Sequence, residues 1–374
     1  MALDPSKNMY LCTKFIRTMN ILSKSSWIFK SLYLGGVFVD LFPNGITWRS
    51  RDKRKQLVLH ALAPFALLCG MLIKCYGILC NWLMDRRSYR YKLAVVAIAK
   101  NESEYIEEWL AFLKVIGVDC VFLFDNDSTD DMKSRIQTYI QRGFVVYNTI
   151  HGINKQRETY TKALKMYGSQ CRYMAFIDCD EFLLPTNPTD SVVNLIDQAF
   201  AKDRNAGGIG VNWAIYGSSG HKTKTPGLVM ERFTYRCKTD FERNVHIKSI
   251  IKPACVRLYN HPHYPDYRKG FYSINFEGEI IGKWYNPIVE YPSLRINHYY
   301  TKSKEEWDKR RSLGKADFAK NDSPYVTDDY FIRCDHNDVK DELALHFVDD
   351  VKKIMVEYSP HLLTQEINNK SRGW

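Results

Sequence analysis

The 374-residue sequence lacks the cysteine patterns that build small metal or disulfide domains: its ten cysteines are scattered, with no C-x-x-C pair and no Cys/His spacing of a zinc site. That excludes a zinc ribbon or finger and favours reduced thiols in a cytosolic setting over a disulfide framework. No glycine-rich, Lys/Arg-bearing loop follows the first strand-like run, where Lys100-Asn101-Glu102 stands instead, which argues against a nucleotidyltransferase. No recognised nucleic-acid-binding motif occurs, and the basic residues are not gathered into one tract, so nucleic acid is not an expected partner. A signal peptide is not expected either, because the apolar run begins at Leu57, far from Met1.

What is present is a net charge of +11, which favours anionic partners such as nucleotide phosphates or lipid headgroups. Two basic clusters (Arg49, Arg51, Lys53, Arg54, Lys55 and Arg86, Arg87, Arg90, Lys92) flank residues 57–84, LVLHALAPFALLCGMLIKCYGILCNWLM. This segment is long enough to cross a hydrocarbon core of about 30 Å as a helix. His60, Lys74 and Asn81 interrupt it at spacings of fourteen and seven, so a helix places all three on one stripe. Spanning, lying in the interface, a hairpin bent at Pro64 and a buried core helix all stay open. Residues 9–33, with Lys14, Arg17, Lys24 and Lys30 among aromatics, could rest on an anionic leaflet.

From Lys92 the pattern changes. Leu93–Ala99, Val118–Phe124, Phe144–Ile150 and Arg172–Ile177 are apolar runs of the kind that form strands buried on both faces. Helical stretches separate them: one with Ile106, Trp109, Leu110 and Leu113 on a face, capped by Ser103 and stopped by Gly117, then 131–142 and 155–168. The alternation predicts an α/β fold, an open and mostly parallel Rossmann-like sheet flanked by helices, with ligands beyond the carboxyl ends of its strands.

At one such end lies Met174–Pro185, MAFIDCDEFLLP, with Asp178, Asp180 and Glu181 between apolar runs. Carboxylates this close repel unless a cation or donors sit between them. A D-x-D at a strand end suits Mg²⁺ or Mn²⁺, which takes one or two carboxylates and completes its shell with water and substrate phosphate. A haloacid-type phosphatase would want Thr or Val where Phe182 stands. The run 125–131, DNDSTDD, lacks the glycine and closing Glu of an EF-hand, having Asp130 and Ile136 at those positions.

In order, AIAKNESEYIEEWLAFLKVIGVD, FLFDNDSTD, FIDCDEFLLP, VNWAIYGSSGHKT, HIKSIIKP and RINHYYTKSKEEWDKRRSLGKAD resemble the motifs of a GT-A glycosyltransferase, and more closely the group related to families 2 and 92. The resemblance covers roughly residues 92–320. It implies a GT-A domain over 91–320; residues 1–90 have no counterpart in the motifs, and their basic and apolar pattern alone makes them an expected membrane-associated segment, with a helical extension expected over 321–374. The resemblance implies a nucleotide-sugar donor and a glycan or lipid-linked acceptor. Asn101, Glu102 and Asp125 would hold the nucleoside, with Gln156 contacting the nucleotide, while Asn126 and Asp127 shape the turn. Asp178, Asp180 and His298 would bind the metal, and Lys248 and Lys302 the diphosphate. Trp213, Gly217, Ser218 and His221 would line the acceptor or donor-sugar pocket. The general base stays open among Glu181, Asp240, Glu242 and Asp266. A membrane-associated protein with a cytosolic catalytic domain is expected, a Golgi type II protein being the alternative. Glycosylation of the sequons at Asn101 or Asn126 would favour the latter.

Overall fold

A computed structural model describes residues 30–31, 53–313 and 327–358. Apart from Lys30 and Ser31, the basic and aromatic stretch 9–33 lies outside the described residues, as do the side chains of His60 and Pro64. The strands are β1 Tyr91–Ala99, β2 Cys120–Asn126, β3 Val145–Ile150, β4 Cys171–Phe176, β5 Glu181–Pro185, β6 Ala206–Ile215 and β7 Tyr235–Arg236. There follow β8 Ile247–Ile251, β9 Val256–His261, β10 Tyr264–Tyr267, β11 Tyr272–Ile274, β12 Ile280–Ile281, β13 Leu294–His298 and β14 Val339–Lys340.

The expected parallel sheet is there. β3, β2, β1 and β4 lie side by side and parallel. Alternate β1 side chains enter different cores: Leu93, Val95 and Ala97 join one apolar cluster, Ala94, Val96 and Ile98 the other. Burial on both faces is why the run reads as uninterrupted apolar residues rather than an alternation. Helix Ile106–Val115 buries Trp109, Leu110 and Leu113, and Gly117 beyond it takes a φ of +87°. Ser103 does not cap this helix. The Glu102 carbonyl accepts the Tyr105 and Ile106 N–H groups, and the Ser103 N–H donates to Asp130. The stretch 131–142 forms two short helices, Met132–Arg135 and Gln137–Gln141. Residues 156–167 form one, Gln156–Tyr167.

The second half of the sheet departs from a simple alternation. β8 inserts antiparallel between β4 and β6, pairing Phe176 with Ser249 and Gly210 with Ser249 on its two sides. Its amino end therefore lies at the carboxyl end of β4. β13 pairs with β5 antiparallel, setting His298 opposite Glu181, and with β6 parallel, setting His298 opposite Ile215. These two insertions bring residues far apart in sequence to the acidic strand end.

Residues 53–85 form one continuous helix, Lys53–Asp85, and not a hairpin turned at Pro64. Its side bearing Gly70, Lys74, Gly77, Asn81 and Met84 is buried against the α/β domain. The stripe anticipated from Lys74 and Asn81 is thus the docked face. At the other end of the chain, β14 pairs with β7. Helix Val348–Tyr358 also packs back on the domain, with the rings of Tyr139 and Tyr358 stacked 4.7 Å apart.

Candidate active site

β4 ends at Phe176, and the chain turns through Asp178-Cys179-Asp180 before β5 begins at Glu181. The turn is closed by the acids themselves: the Glu181 carboxylate accepts the Asp178 N–H at 2.9 Å, and the Glu181 N–H donates to the Asp178 carbonyl. Asp178 is encircled by donors. Its Oδ1 accepts from Gln156 Nε2 at 2.8 Å and Tyr160 Oη at 3.2 Å, and its Oδ2 from Lys248 Nζ at 2.7 Å. Lys248 also reaches Glu181 Oε2 at 3.3 Å and is only 1% exposed. Burial alone would lower the Lys248 pKa, but the two carboxylates hold it above its ordinary value. Burial pushes the Glu181 carboxyl well above the usual range, with Lys248 opposing it.

Asp180 has a different environment. It is almost wholly buried, its Oδ2 accepts from Arg310 at 2.9 Å, and its Oδ1 lies 3.6 Å from His298 Nε2, beyond a hydrogen bond. Burial would raise this carboxyl, yet Arg310 and His298 keep it well below the usual carboxylate range. Burial lowers the His298 pKa, with Asp180 opposing. Two buried atoms at this spot, His298 Nδ1 and Glu181 Oε1, have no hydrogen-bond partner. Lys302, at a φ of +52°, is buried beside the Tyr105 ring; burial lowers its pKa and Glu102 opposes that. Glu102 is in turn raised by burial and lowered by Lys302 and Arg310. Five ionisable side chains, Glu102, Asp180, His298, Lys302 and Arg310, are thus electrostatically linked.

Among the described residues, no three His, Cys, Asp or Glu side chains form a metal-binding group by themselves. The donor chemistry still suits an ion held by few protein ligands. Asp180 Oδ1 and His298 Nε2 face each other without being bonded, whereas both Asp178 oxygens are already taken by donors. Mg²⁺ and Mn²⁺ are commonly bound through one or two side chains, water and phosphate.

The other sequence-selected residues divide into groups. Asn101, at a φ of +57°, accepts the Thr129 N–H through Oδ1 and donates its own N–H to Ser128. Asp125 accepts the Ser128 N–H and the Tyr147 hydroxyl. Together they knit the β1 and β2 ends into one rim. Asn126 is buried and donates to the Ile150 and Gly152 carbonyls, which fixes the turn. Trp213 stacks on His246, with centroids 4.8 Å apart, and lies 4.5 Å from the His298 ring. Gly217 and Ser218 meet the C-terminal segment: Ser218 bonds Asp335 through both its N–H and its hydroxyl, and a Cβ on Gly217 would collide with the His336 carbonyl oxygen at 2.5 Å. His221 faces the Arg232 carbonyl through its ring nitrogen. Glu242 is 63% exposed and pairs with Arg333, and Asp266 pairs with Arg257. Asp240 is exposed. None of these three is bonded to the acidic cluster.

The cluster also contains residues that the sequence reading omits. Tyr160 is one helical turn from Gln156, so the 3.6-residue period was the signal for it. Arg310 lies on the helix after Lys302, within a motif already quoted, but nothing in its spacing points at Asp180. His246 and His263 flank Trp213 from separate segments. Burial lowers the pKa of both, that of His246 to about 4.

The sequence profile of Glycosyltransferase family 92 matches residues 95–329. A glycosyltransferase family 92 protein of Ricinus communis is 29% identical over 245 residues, covering 64% of this chain and 39% of that protein. One of Arabidopsis thaliana is 23% identical over 248 residues, covering 64% and 39%. The chain thus spans about two-fifths of the length of these curated relatives. Among solved structures, S. aureus TarS 1-349 in complex with UDP is similar at a TM-score of 0.31 and 17% identity, covering 44% of this chain and 47% of that one. Glucosyl-3-phosphoglycerate synthase from Mycobacterium tuberculosis, in complex with Mg²⁺ and UDP, is similar at 0.23 and 16%, covering 36% and 47%.

Proposed function

The chain belongs to glycosyltransferase family 92, and on that premise we propose that it transfers a sugar from a nucleotide-sugar donor to a glycan or lipid-linked acceptor in a reaction that depends on Mn²⁺ or Mg²⁺. The observation that supports this best is the buried pair Asp180–His298, whose facing atoms are 3.6 Å apart and unbonded to each other, beside the cations Arg310 and Lys302. A site with two candidate metal donors, a buried lysine and a partly exposed arginine is suited to a diphosphate leaving group.

In this reading the domain is of GT-A type and occupies residues 91–320. Asn101, Glu102 and Asp125 form the nucleoside rim, and Gln156 reaches it through Asp178. Asp180 and His298 hold the ion, which when bound supplies positive charge to the departing diphosphate. Lys302 and Arg310 add fixed positive charge at the same place, and Arg310 exchanges Asp180 for phosphate oxygens when the donor enters. Asp178 is held in one orientation by Gln156, Tyr160 and Lys248. Glu181, fully buried and bonded to the Asp178 N–H, ties the turn instead of meeting an acceptor. Trp213, buried among His246, His263 and His298, backs the metal side of the site. Asp240, Glu242 and Asp266, the remaining candidates for the base that takes the acceptor proton, lie outside the acidic cluster.

Attachment to a membrane surface with the catalytic domain in the cytosol fits the apolar helix Leu67–Asp85 and the nine described cysteines, none of them in a disulfide. Release of nucleoside diphosphate from a panel of nucleotide sugars, with Mn²⁺ and then with chelator, tests the transfer reading.

A further inference from the structure

The helix Lys53–Asp85 has its polarity inside out. Against the protein it turns Gly70, Lys74, Gly77, Asn81 and Met84, at spacings that repeat every seven residues. Away from the protein it turns Phe65, Leu68, Leu72, Tyr76, Leu79 and Trp82, each between 47% and 64% exposed. A helix on the surface of a water-soluble domain shows the reverse arrangement, and an apolar patch this continuous marks a contact.

The docked face is bonded to the domain over its last three turns. Asn205 Nδ2 donates to the Lys74 carbonyl at 3.0 Å, and buried Lys252 donates to Asn81 Oδ1 at 2.8 Å. Gly77 comes so close to the loop at Gly270 that a Cβ would stand 2.5 Å from its carbonyl oxygen. Leu67–Asp85 has the length and composition of a membrane span, but a spanning helix needs lipid or other spanning helices around it. This one has a polar α/β domain along one side.

Charge gathers at its carboxyl end. A cavity of about 280 Å³ opens beside Met84, and Arg87, Lys165, Arg172, Lys252, Arg257 and Arg268 line it. Asp85 is its one acidic lining residue and pairs with Arg204, while Arg172 pairs with Asp197 and Arg257 with Asp266, so the cavity's attraction for an anion comes chiefly from Arg87, Lys165 and Arg268. Arg86 lies over the Trp82 ring at 3.7 Å, so a cation and an amphipathic aromatic sit together at the edge of the stripe. Met84 and Asp85, the end of the same helix, form part of the cavity wall. The apolar stripe and the basic cavity therefore adjoin.

We propose that this helix does not cross the membrane but lies along the surface of an anionic bilayer, with the stripe Phe65–Trp82 among the acyl chains and the Arg87/Lys165 cavity receiving lipid headgroup phosphate. The proposal rests on the membrane part of the reading above and is independent of the transfer chemistry. Its occupant is the bilayer: a second copy of the chain would carry the same excess of positive charge to the cavity, whereas phosphatidylserine brings the complementary sign.

The test uses the full-length protein in flotation with vesicles of phosphatidylcholine alone or with added phosphatidylserine. Wild type should float with both and more strongly with phosphatidylserine. Leu72→Glu/Leu79→Glu, on exposed positions, should float with neither. Arg87→Glu/Lys165→Glu, also on exposed positions, should lose the phosphatidylserine preference, about fivefold for each cation lost from the surface. Unchanged melting of both variants confirms that they fold. An epitope placed before Lys53 and another at the carboxyl terminus should show the same protease accessibility in sealed membranes from expressing cells. Opposite accessibility means that the helix spans and overturns the proposal. Failure of wild type to float overturns it too, as does a concentration-dependent dimer that Leu72→Glu/Leu79→Glu abolishes without any vesicle binding. Nucleoside diphosphate release by a protein that does not float would leave the transfer reading standing and sink this one alone.

Discussion

Asp180 and His298 meet across the pairing of β5 with β13, carboxylate Oδ1 and imidazole Nε2 3.6 Å apart, while Nδ1 of the same ring is buried without a hydrogen-bond partner. Buried polar atoms are nearly always satisfied, and this pair is the place where the proposed ion would be held.

Asp180→Asn keeps the size of the side chain and removes its charge. Nucleoside diphosphate release should fall about a hundredfold or more, the scale of losing one preorganised electrostatic contact in an active site. The variant should melt within a few degrees of wild type. Near-normal turnover would remove Asp180 from the reaction.

His298→Gln should shift the Mn²⁺ concentration for half-maximal activity upward by about tenfold or more, the loss of one of two protein donors. An unchanged titration would mean that His298 is a packing partner of Trp213 and nothing more.

Lys248 is expected to act on structure more than on phosphate. It is the cation between Asp178 and buried Glu181, and Lys248→Met leaves the latter uncompensated, costing about 3–5 kcal/mol of unfolding free energy. Adding Glu181→Gln should recover part of that loss, measured by urea unfolding of the double-mutant cycle. An additive cycle would show that the two groups do not depend on each other.

Glu306 forms a buried, two-bonded pair with Arg232. Burial would raise its carboxyl, but Arg232 and Ser303 bring it down to about 2 from 4.5. A carboxyl held below its unfolded value stabilises the fold fully above pH 4.5, and that contribution is lost as pH falls through 2. The window corresponds to about 3 kcal/mol. The stability gap between wild type and Glu306→Gln should therefore be widest above pH 5 and close toward pH 2. A gap independent of pH would contradict the assignment.

The first four strands were legible because each is buried on both faces and so reads as an unbroken apolar run, and the place of Asp178 at a strand end followed from that. What the sequence could not convey was the pairing of its second half. HIKSIIKP shows a strand but not that it enters antiparallel beside β4, and it is this direction that turns Lys248 onto Asp178 and Glu181. RINHYY shows a strand but not that it pairs with β5, which is what brings His298 to Asp180. Arg310 escaped notice because an arginine in a basic helical stretch looks solvated; only the tertiary fold gives it a buried partner. The spacing of Lys74 and Asn81 did reveal a stripe, but local periodicity does not say whether a polar stripe faces water or another part of the protein.

The central claim, a metal-assisted transfer at the Asp180–His298 pair, is tested most directly by nucleoside diphosphate release from nucleotide sugars by the purified full-length protein. Release should occur with at least one donor in the presence of Mn²⁺ or Mg²⁺, stop on addition of chelator, resume when the ion is restored, and be absent in Asp180→Asn under the same conditions. Release that continues undiminished in chelator, or that Asp180→Asn retains in full, would contradict the account.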